Sequence, residues 1–410
     1  MARKEWKKFD YHARHVQILL LSQTQPQVSP FVCDRLRQLR KDPLLPALQE
    51  LRIPASYVGD LRSSLICLSP QLRLIELHNN SVSQPEFFLP FILAIITETP
   101  LLTHLILHTQ AEVNLERVSE LKQLFKLNLQ VPTSNLSKAL IRKLGELENL
   151  SDLRIGLGNA HGWRVGRTSV TTNAYPKLQT LSIRGSPTAI TKIMEVMSFA
   201  SLSSLTLGFN TTNSWNEVFN TLAQKETCIT IMSLQSYLAQ IHFAFDSIYP
   251  LLRLHTLEAL DINTESFSIC DDKFFRLMSL PNLRILSLPS LSQSKSLTTE
   301  VLWHPSKLAP RLAELKMCLY HSGAQVPIPR DMMGINISRR DAHRALHKLS
   351  ISSAYGNMED SDVIHLTRLL YQAFPNLEIV EGFGSNSYHE SWGRVNTFRA
   401  ALVMCCRESD

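Results

Sequence analysis

Four residues raise the question of metal or acid–base chemistry. "ELH" at 76–78 supplies Glu76 and His78, and "HLILH" at 104–108 supplies His104 and His108 on either side of Ile106. If both segments are strands, alternate side chains share a face, so the two outer histidines point the same way and His78 comes alongside His108. Imidazoles and a carboxylate on one face are zinc-type ligands, and zinc takes three or four of them in one place. Glu76 is the carboxylate nearest to hand, and a third and fourth ligand around one of these rings are not evident. The set is therefore read first as plain solvated polarity, with contact surface for another protein as the competing reading.

Other constellations carry less. "GLGNAHG" at 156–162 has a glycine pair after a strand-like run, but polar residues follow where a dinucleotide fold needs a helix N-terminus, so a loop is expected. His343 and His347 would share one face of a helix, yet Arg339, Arg340, Arg344 and Lys348 surround them instead of ligands. As a basic cluster, "SRRDAHRALHK" is read as solvated surface, because no stacking aromatics accompany it and nucleic acid is then disfavoured. No nucleophile, base and oxyanion set can be assembled, which predicts a non-enzyme with no cofactor and no metal.

Composition bounds the class. The net charge of +6 is modest for 410 residues, with both signs interspersed. Seven scattered cysteines, none in a C-x-x-C spacing, predict reduced thiols and a cytoplasmic or nuclear protein. The start "MARKEWKK" lacks a signal-type cleavage site, and the apolar run "FFLPFILAII" is far below the ~20 residues of a membrane span, so a soluble protein is expected.

The elements that must hold these residues are repeats. Aliphatic residues recur as L-x-x-L-x-L, beginning at Leu48, Leu72, Leu102, Leu124, Leu150, Leu178 and Leu202, and again at Leu257, Leu283, Leu312, Leu346 and, decayed, Leu377. A weaker copy at Ile229/Met232/Leu234 fills the gap, although Ile241 to Phe245 competes for the same place. That makes thirteen units at intervals of 22 to 34 residues, a leucine-rich repeat with long units. Each L-x-L is a short strand with its leucines inward, and strands of successive units stack in parallel. In "LRLIELHNNSV" Asn80 is placed to satisfy the turning loop and Val82 to close the core. The return segments "EFFLPFILAIITE", "ITKIMEVMSFA", "DDKFFRLMSL" and "SDVIHLTRLLYQAF" carry helical spacing, with Ser361 as an N-cap for the last. Pro46, Pro70, Pro100, Pro176, Pro281, Pro310 and Pro375 each stand two residues before a first leucine, where proline ends a helix and prepares a strand.

The expected architecture is an α/β leucine-rich-repeat solenoid, a curved horseshoe with a parallel sheet on the concave face and helices on the convex face. Residues 1–45 form an N-terminal capping segment and first degenerate repeat, 46–390 the repeats, and 391–410 a C-terminal capping helix, because an array buries its core only between neighbours. Ala13/Val16/Ile18 read as the degenerate first strand and Phe31 to Leu39 as the first return helix, with Trp6 and Phe9 over the edge. Trp392, Val395, Phe398, Ala401 and Leu402 form the face of the terminal helix. Residues between inward leucines face the concave side. The candidate partner contacts are therefore Glu76, His78, His104, His108, Asp152, Arg154, Arg184, Asp261 and Lys316, on an arc on the order of 60 Å at ~4.8 Å per strand.

The long irregular units, the recurrent P-x-L-x-x-L-x-L and an opening of the form W-x-x-F-x-x-Y-A-x-x-V resemble the fungal F-box leucine-rich-repeat proteins. Here that opening is held by Trp6, Phe9, His12, Ala13 and Val16, with Tyr11 offset by one. The resemblance implies substrate recognition by the repeats of a ubiquitin ligase receptor. In that family an F-box ahead of the array docks the Skp adaptor and, through it, a cullin. No F-box is recognised in this sequence, so the Skp adaptor and cullin are expected only if one is supplied upstream. The alternative is a stand-alone scaffold or decoy that binds a partner without recruiting the ligase.

Overall fold

The computed structural model describes residues 3–21, 29–40, 42–54, 64–79, 85–110, 114–132, 136–157, 175–210, 215–225, 227–236, 242–264, 266–289, 297–298, 300–304, 307–319, 342–353, 360–383 and 386–407. The chain forms two compact units, Met1–Ser203 and Ser204–Asp410.

In the first unit the strands β1 (Ile18–Leu20), β2 (Glu50–Ile53), β3 (Leu74–Asn79), β4 (His104–Thr109), β5 (Lys126–Val131), β6 (Asp152–Leu157) and β7 (Thr180–Gly185) lie parallel in sequence order. Their register puts Leu51, Ile75, Leu105, Leu127, Leu153 and Leu181 in one column across the sheet. All six are completely buried. Each such side chain stabilises the stack by about 1.5–3 kcal/mol, and a neighbouring unit is what removes it from water. Helices Pro30–Leu39, Pro85–Glu98, Lys138–Leu144 and Pro187–Val196 and a 3-10 turn at Glu116–Glu120 make the return segments. The helix Pro85–Glu98 runs through Pro90 on its exposed side while Phe88, Phe91, Ile92 and Ile95 are buried at three- and four-residue spacing.

The second unit has β8 (Ser204–Phe209), β9 (Ile231–Ser236), β10 (His242–Ala244), β11 (Ala259–Asn263), β12 (Ser266–Ser268), β13 (Ile285–Ser287), β14 (Glu314–Leu319), β15 (Lys348–Ser353) and β16 (Ile379–Gly382). Strands β8, β9, β11, β13, β14, β15 and β16 form its parallel main sheet, and β10 pairs with β12 in a separate two-stranded sheet. This decides the competition left open by the sequence: Met232 and Leu234 take the place in the main sheet. Phe243 instead stacks on Phe209, with centroids 4.7 Å apart, and meets Phe219 edge to face. All thirteen repeat copies thus coincide with a main-sheet strand, and each unit is a stack of leucine-rich repeats.

The turn before each strand has a common form. The amide of the first leucine donates to the carbonyl three residues back, as from Leu72 to Ser69 (3.0 Å), Leu102 to Thr99 (3.1 Å) and Leu377 to Phe374 (3.0 Å). The seven prolines sit one residue after the accepting carbonyl, at the second position of a β-turn, where their fixed φ fits. Leu124, Leu150, Leu202 and Leu257 make the same bond without proline. A side-chain ladder unread in the sequence ties unit to unit. Thr103 Oγ1 donates to the Arg73 carbonyl (3.1 Å), Ser203 Oγ to Gln179 (3.1 Å), Thr256 Oγ1 to Ile229 (2.8 Å) and Asn376 Nδ2 to Arg344 (2.7 Å).

Several local expectations are corrected. Ala13 ends a helix, Arg3–Ala13, and the first strand begins at Ile18. Trp6 packs edge to face on Phe9 and under Arg40, whose guanidinium also bonds Asp10 at 2.8 Å, and these contacts anchor the helix. Ser361 lies inside the helix Asp360–Ala373 and does not cap it. The terminal helix Asn386–Arg407 buries Trp392, Val395 and Arg399, which share a face at three- and four-residue spacing. Phe398 and Ala401 lie about 90° and about 150° around the helix from the centre of that face and are exposed. Asn80 and Val82 fall outside the described residues. No described helix is long and apolar enough to cross a membrane.

Candidate functional site

Pairing register sorts the outward side chains of the first unit into three rows. The first runs Glu50, Leu74, His104, Lys126, Asp152 and Thr180; the second Arg52, Glu76, Ile106, Asn128, Arg154 and Ser182; the third His78, His108, Gln130, Gly156 and Arg184. Neighbours in a row are ~4.8 Å apart, close enough for side chains to pair across strands. Arg52 bonds Glu50 at 2.8 Å and reaches Glu76 at 3.9 Å, and Glu76 holds His78 Nε2 at 2.7 Å. Asp152 sits between Lys126 at 3.1 Å and Arg154 at 3.4 Å. The charges that the sequence offered as contacts are thus held in place by one another.

The histidines divide into two environments. His78 and His108 are opposite each other on β3 and β4, their rings edge to face at 4.2 Å. Burial, and then the nearby His78, push the His108 imidazole below its ordinary range, opposed by Glu76, and its Nε2 is buried without a hydrogen-bond partner. His104 lies about 13 Å along the strand from His108, four residues away, so the two cannot share an ion. Its Nδ1 meets Thr103 Oγ1 at 2.9 Å, and its ring lies 6.0 Å from exposed Phe125. Burial, then Lys126, lower its pKa. Among the described residues no three His, Cys, Asp or Glu side chains converge on a metal-sized site.

Sequence reasoning missed the ground beside the first row. A recess of about 760 Å³ lies there, lined by His104, Phe125, Ser151, Lys177 and Gln179 among others. In the third row Gly156 lies against Gln130, whose Cγ would be only 3.1 Å from an added Cβ, so a side chain there would need Gln130 to give way.

In the second unit the middle outward row reads Thr206, Ser233, Asp261, Ser287, Lys316, Ser350 and Glu381. Asp261 accepts from Ser233 Oγ at 3.3 Å, while the Lys316 ammonium lies 4.5 Å over the Phe383 ring, two strands away. Both line a recess of about 440 Å³. Glu381 accepts from Ser350 at 2.7 Å, and that bond holds its carboxyl below the usual range, with Lys348 adding to the effect. The row beneath carries exposed Ile231 and Ile285 on either side of Ala259. An apolar residue at the outward position of L-x-x-L-x-L was the available signal for this patch.

The remaining candidates settle as structure. Gly156 and Leu157 end β6, and 158–162 of the glycine loop lie outside the described residues, as do Arg339 and Arg340. His343 and His347 are in the extended approach to β15, not on a helix. His343 is buried. Its Nδ1 accepts the Leu346 amide at 3.2 Å, which leaves Nε2 to donate to the Ala309 carbonyl at 2.6 Å, a neutral ring pinning one turn to another.

No protein-family model matches the chain, and no curated protein does. Among solved structures it is similar to an internalin (inlF) from Listeria monocytogenes, 14% identical, over 87% of this chain and 95% of that one, with a TM-score of 0.43. It is also similar to CroV588, a circular leucine-rich-repeat protein, 12% identical, over 80% of this chain and 39% of that one, with a TM-score of 0.39. The leucine-rich-repeat fold rests on this chain's own register, in which every L-x-x-L-x-L copy supplies one strand of a parallel sheet.

Proposed function

We propose that this is a non-catalytic protein-binding array that uses the open face of its sheets. One observation carries the reading: ion pairs within and between strands hold the outward charges in place next to exposed apolar side chains. That combination suits protein recognition, because little side-chain entropy remains to be lost on binding. The resemblance of the opening segment and the repeats to F-box leucine-rich-repeat proteins supports a finer reading, the substrate-recognition part of a ubiquitin ligase receptor in cytoplasm or nucleus. The Skp adaptor and cullin would then enter through an F-box ahead of the array. A stand-alone scaffold or decoy, which binds a partner without recruiting the ligase, is the second reading.

The test is purification of the protein from its own cells, followed by the doubly reversed variant Arg154→Glu/Arg184→Glu. A protein partner that binds roughly tenfold more weakly to the variant, the scale of two reversed surface charges, supports the open face. Undiminished binding would move the site to the helices or an edge. Co-purification of the Skp adaptor and cullin separates the receptor from the scaffold.

A further inference from the structure

The sheet of the first unit ends in a strand whose outward side chains continue the first two rows, Ile18 beside Glu50 and Leu20 beside Arg52. Among the described residues β1 is the outer strand of its sheet and pairs with β2 alone. The Gln17 carbonyl and the Leu21 amide bond towards β2, so by strand alternation the amides and carbonyls of Ile18 and Leu20 point to the free edge. Edge strands are usually blunted by charge, proline or a bulge, and Ile18-Leu19-Leu20 has none of these. Its side chains are exposed too, Ile18 at 60% and Leu20 at 58%. The next helix in the chain, Pro30–Leu39, turns Phe31 (77% exposed) and Leu39 (67%) to solvent, with exposed Arg35 between them on the same face.

Charge selects the occupant. Residues 1–40 contain eight Lys/Arg and three Asp/Glu, a balance of +5 in a chain whose total is +6. Two of those cations are already paired, Arg40 with Asp10 and Arg37 with Glu98, which leaves six cations against two acids. A second copy of this end would bring like charge against like. A lipid surface would leave the strand's backbone donors and acceptors without partners of matching geometry. We propose that this end docks an acidic, apolar-bearing polypeptide segment, which adds a strand to β1 and lays its hydrophobic side chains against Ile18 and Leu20.

The experiment uses the full chain and a labelled peptide of alternating glutamate and valine. Its controls are the same peptide with lysine for glutamate, and phosphatidylserine vesicles. The expected result is binding of the acidic peptide alone, weakened by salt, with slowed hydrogen exchange at the Ile18 and Leu20 amides. Leu20→Pro removes an edge donor that makes no bond to β2, and should weaken binding roughly tenfold without lowering the melting temperature. Arg35→Glu, on an exposed face, should weaken it roughly fivefold. Arg154→Glu/Arg184→Glu should leave it unchanged, which keeps this test separate from that of the open face. Equal binding of the lysine peptide, binding of Leu20→Pro at the original strength, or no peptide binding would overturn the proposal. So would capture by vesicles in place of peptide, or concentration-dependent dimers that protect the same two amides.

Discussion

Tyr175 offers a direct test of how one unit is locked to the next. Its φ is 74°, the sole positive value at a non-glycine among the described residues, and a bulky side chain there costs about 1–2 kcal/mol. The ring is buried, its hydroxyl donates to the Ile141 carbonyl at 2.5 Å, and its amide donates to Gly145 at 2.9 Å. Burial raises the phenol's pKa, so it remains a donor throughout the working range. Two comparisons separate the contributions. Tyr175→Phe keeps the ring and loses the hydroxyl; because Ile141 still accepts from Gly145, the cost should be about 1 kcal/mol. Tyr175→Ala and Tyr175→Gly lose the same ring, so their difference isolates the backbone. At an ordinary position alanine is better by about 0.4–1 kcal/mol through the unfolded chain. Here the left-handed penalty of ~1–2 kcal/mol falls on alanine alone, and glycine should be the more stable by about 0.5–1 kcal/mol. Urea unfolding followed by circular dichroism, with midpoints compared at a common slope, reads both. An alanine variant as stable as the glycine variant would refute the argument, because strain at φ 74° is its whole basis.

Acid should weaken the first unit through its histidines. His104 and His108 have folded pKa values below the ordinary range, so the unfolded chain takes up protons first, near pH 6.5. The stability they contribute is complete above that pH and is lost as pH falls through the lower folded values. The urea midpoint should drop between pH 7.5 and 5.5, and drop less in His104→Gln/His108→Gln; an equal drop in both proteins would assign the effect elsewhere. Thr256→Val keeps the shape but removes the bond to Ile229, and should cost about 1 kcal/mol in the second unit, whereas no change in midpoint would show the ladder to be idle.

Much of the fold was legible because the signals are local. A leucine at every second position must face one way along a strand, and a proline two residues before it can occupy only a narrow part of a turn. Thirteen copies and seven prolines therefore fell where the sequence put them, and so did the outward placement of Glu76, His78, Asp152 and Arg154. Whether those residues bind anything is not a property of spacing. Neither is the role of His343, whose ring is satisfied by Ala309 from the preceding unit.

What tertiary structure alone decided depends on which distant segments meet. Met232 and Phe243 both sit in plausible strand patterns; the aromatic cluster of Phe209, Trp215 and Phe219 drew Phe243 away from the main sheet. Phe398 looked inward by its helical spacing from Val395, but the rotation of the terminal helix was set by Trp392 and by Arg399, whose guanidinium bonds the carbonyls of Leu377 and Glu378. The exposed pair Ile231 and Ile285 became one patch only when β11 paired between their strands. Period and turn chemistry act within a few residues and survive in the sequence. Register between units, helix rotation and the exposure of an edge are set by contacts many residues apart, and only the folded chain contains them.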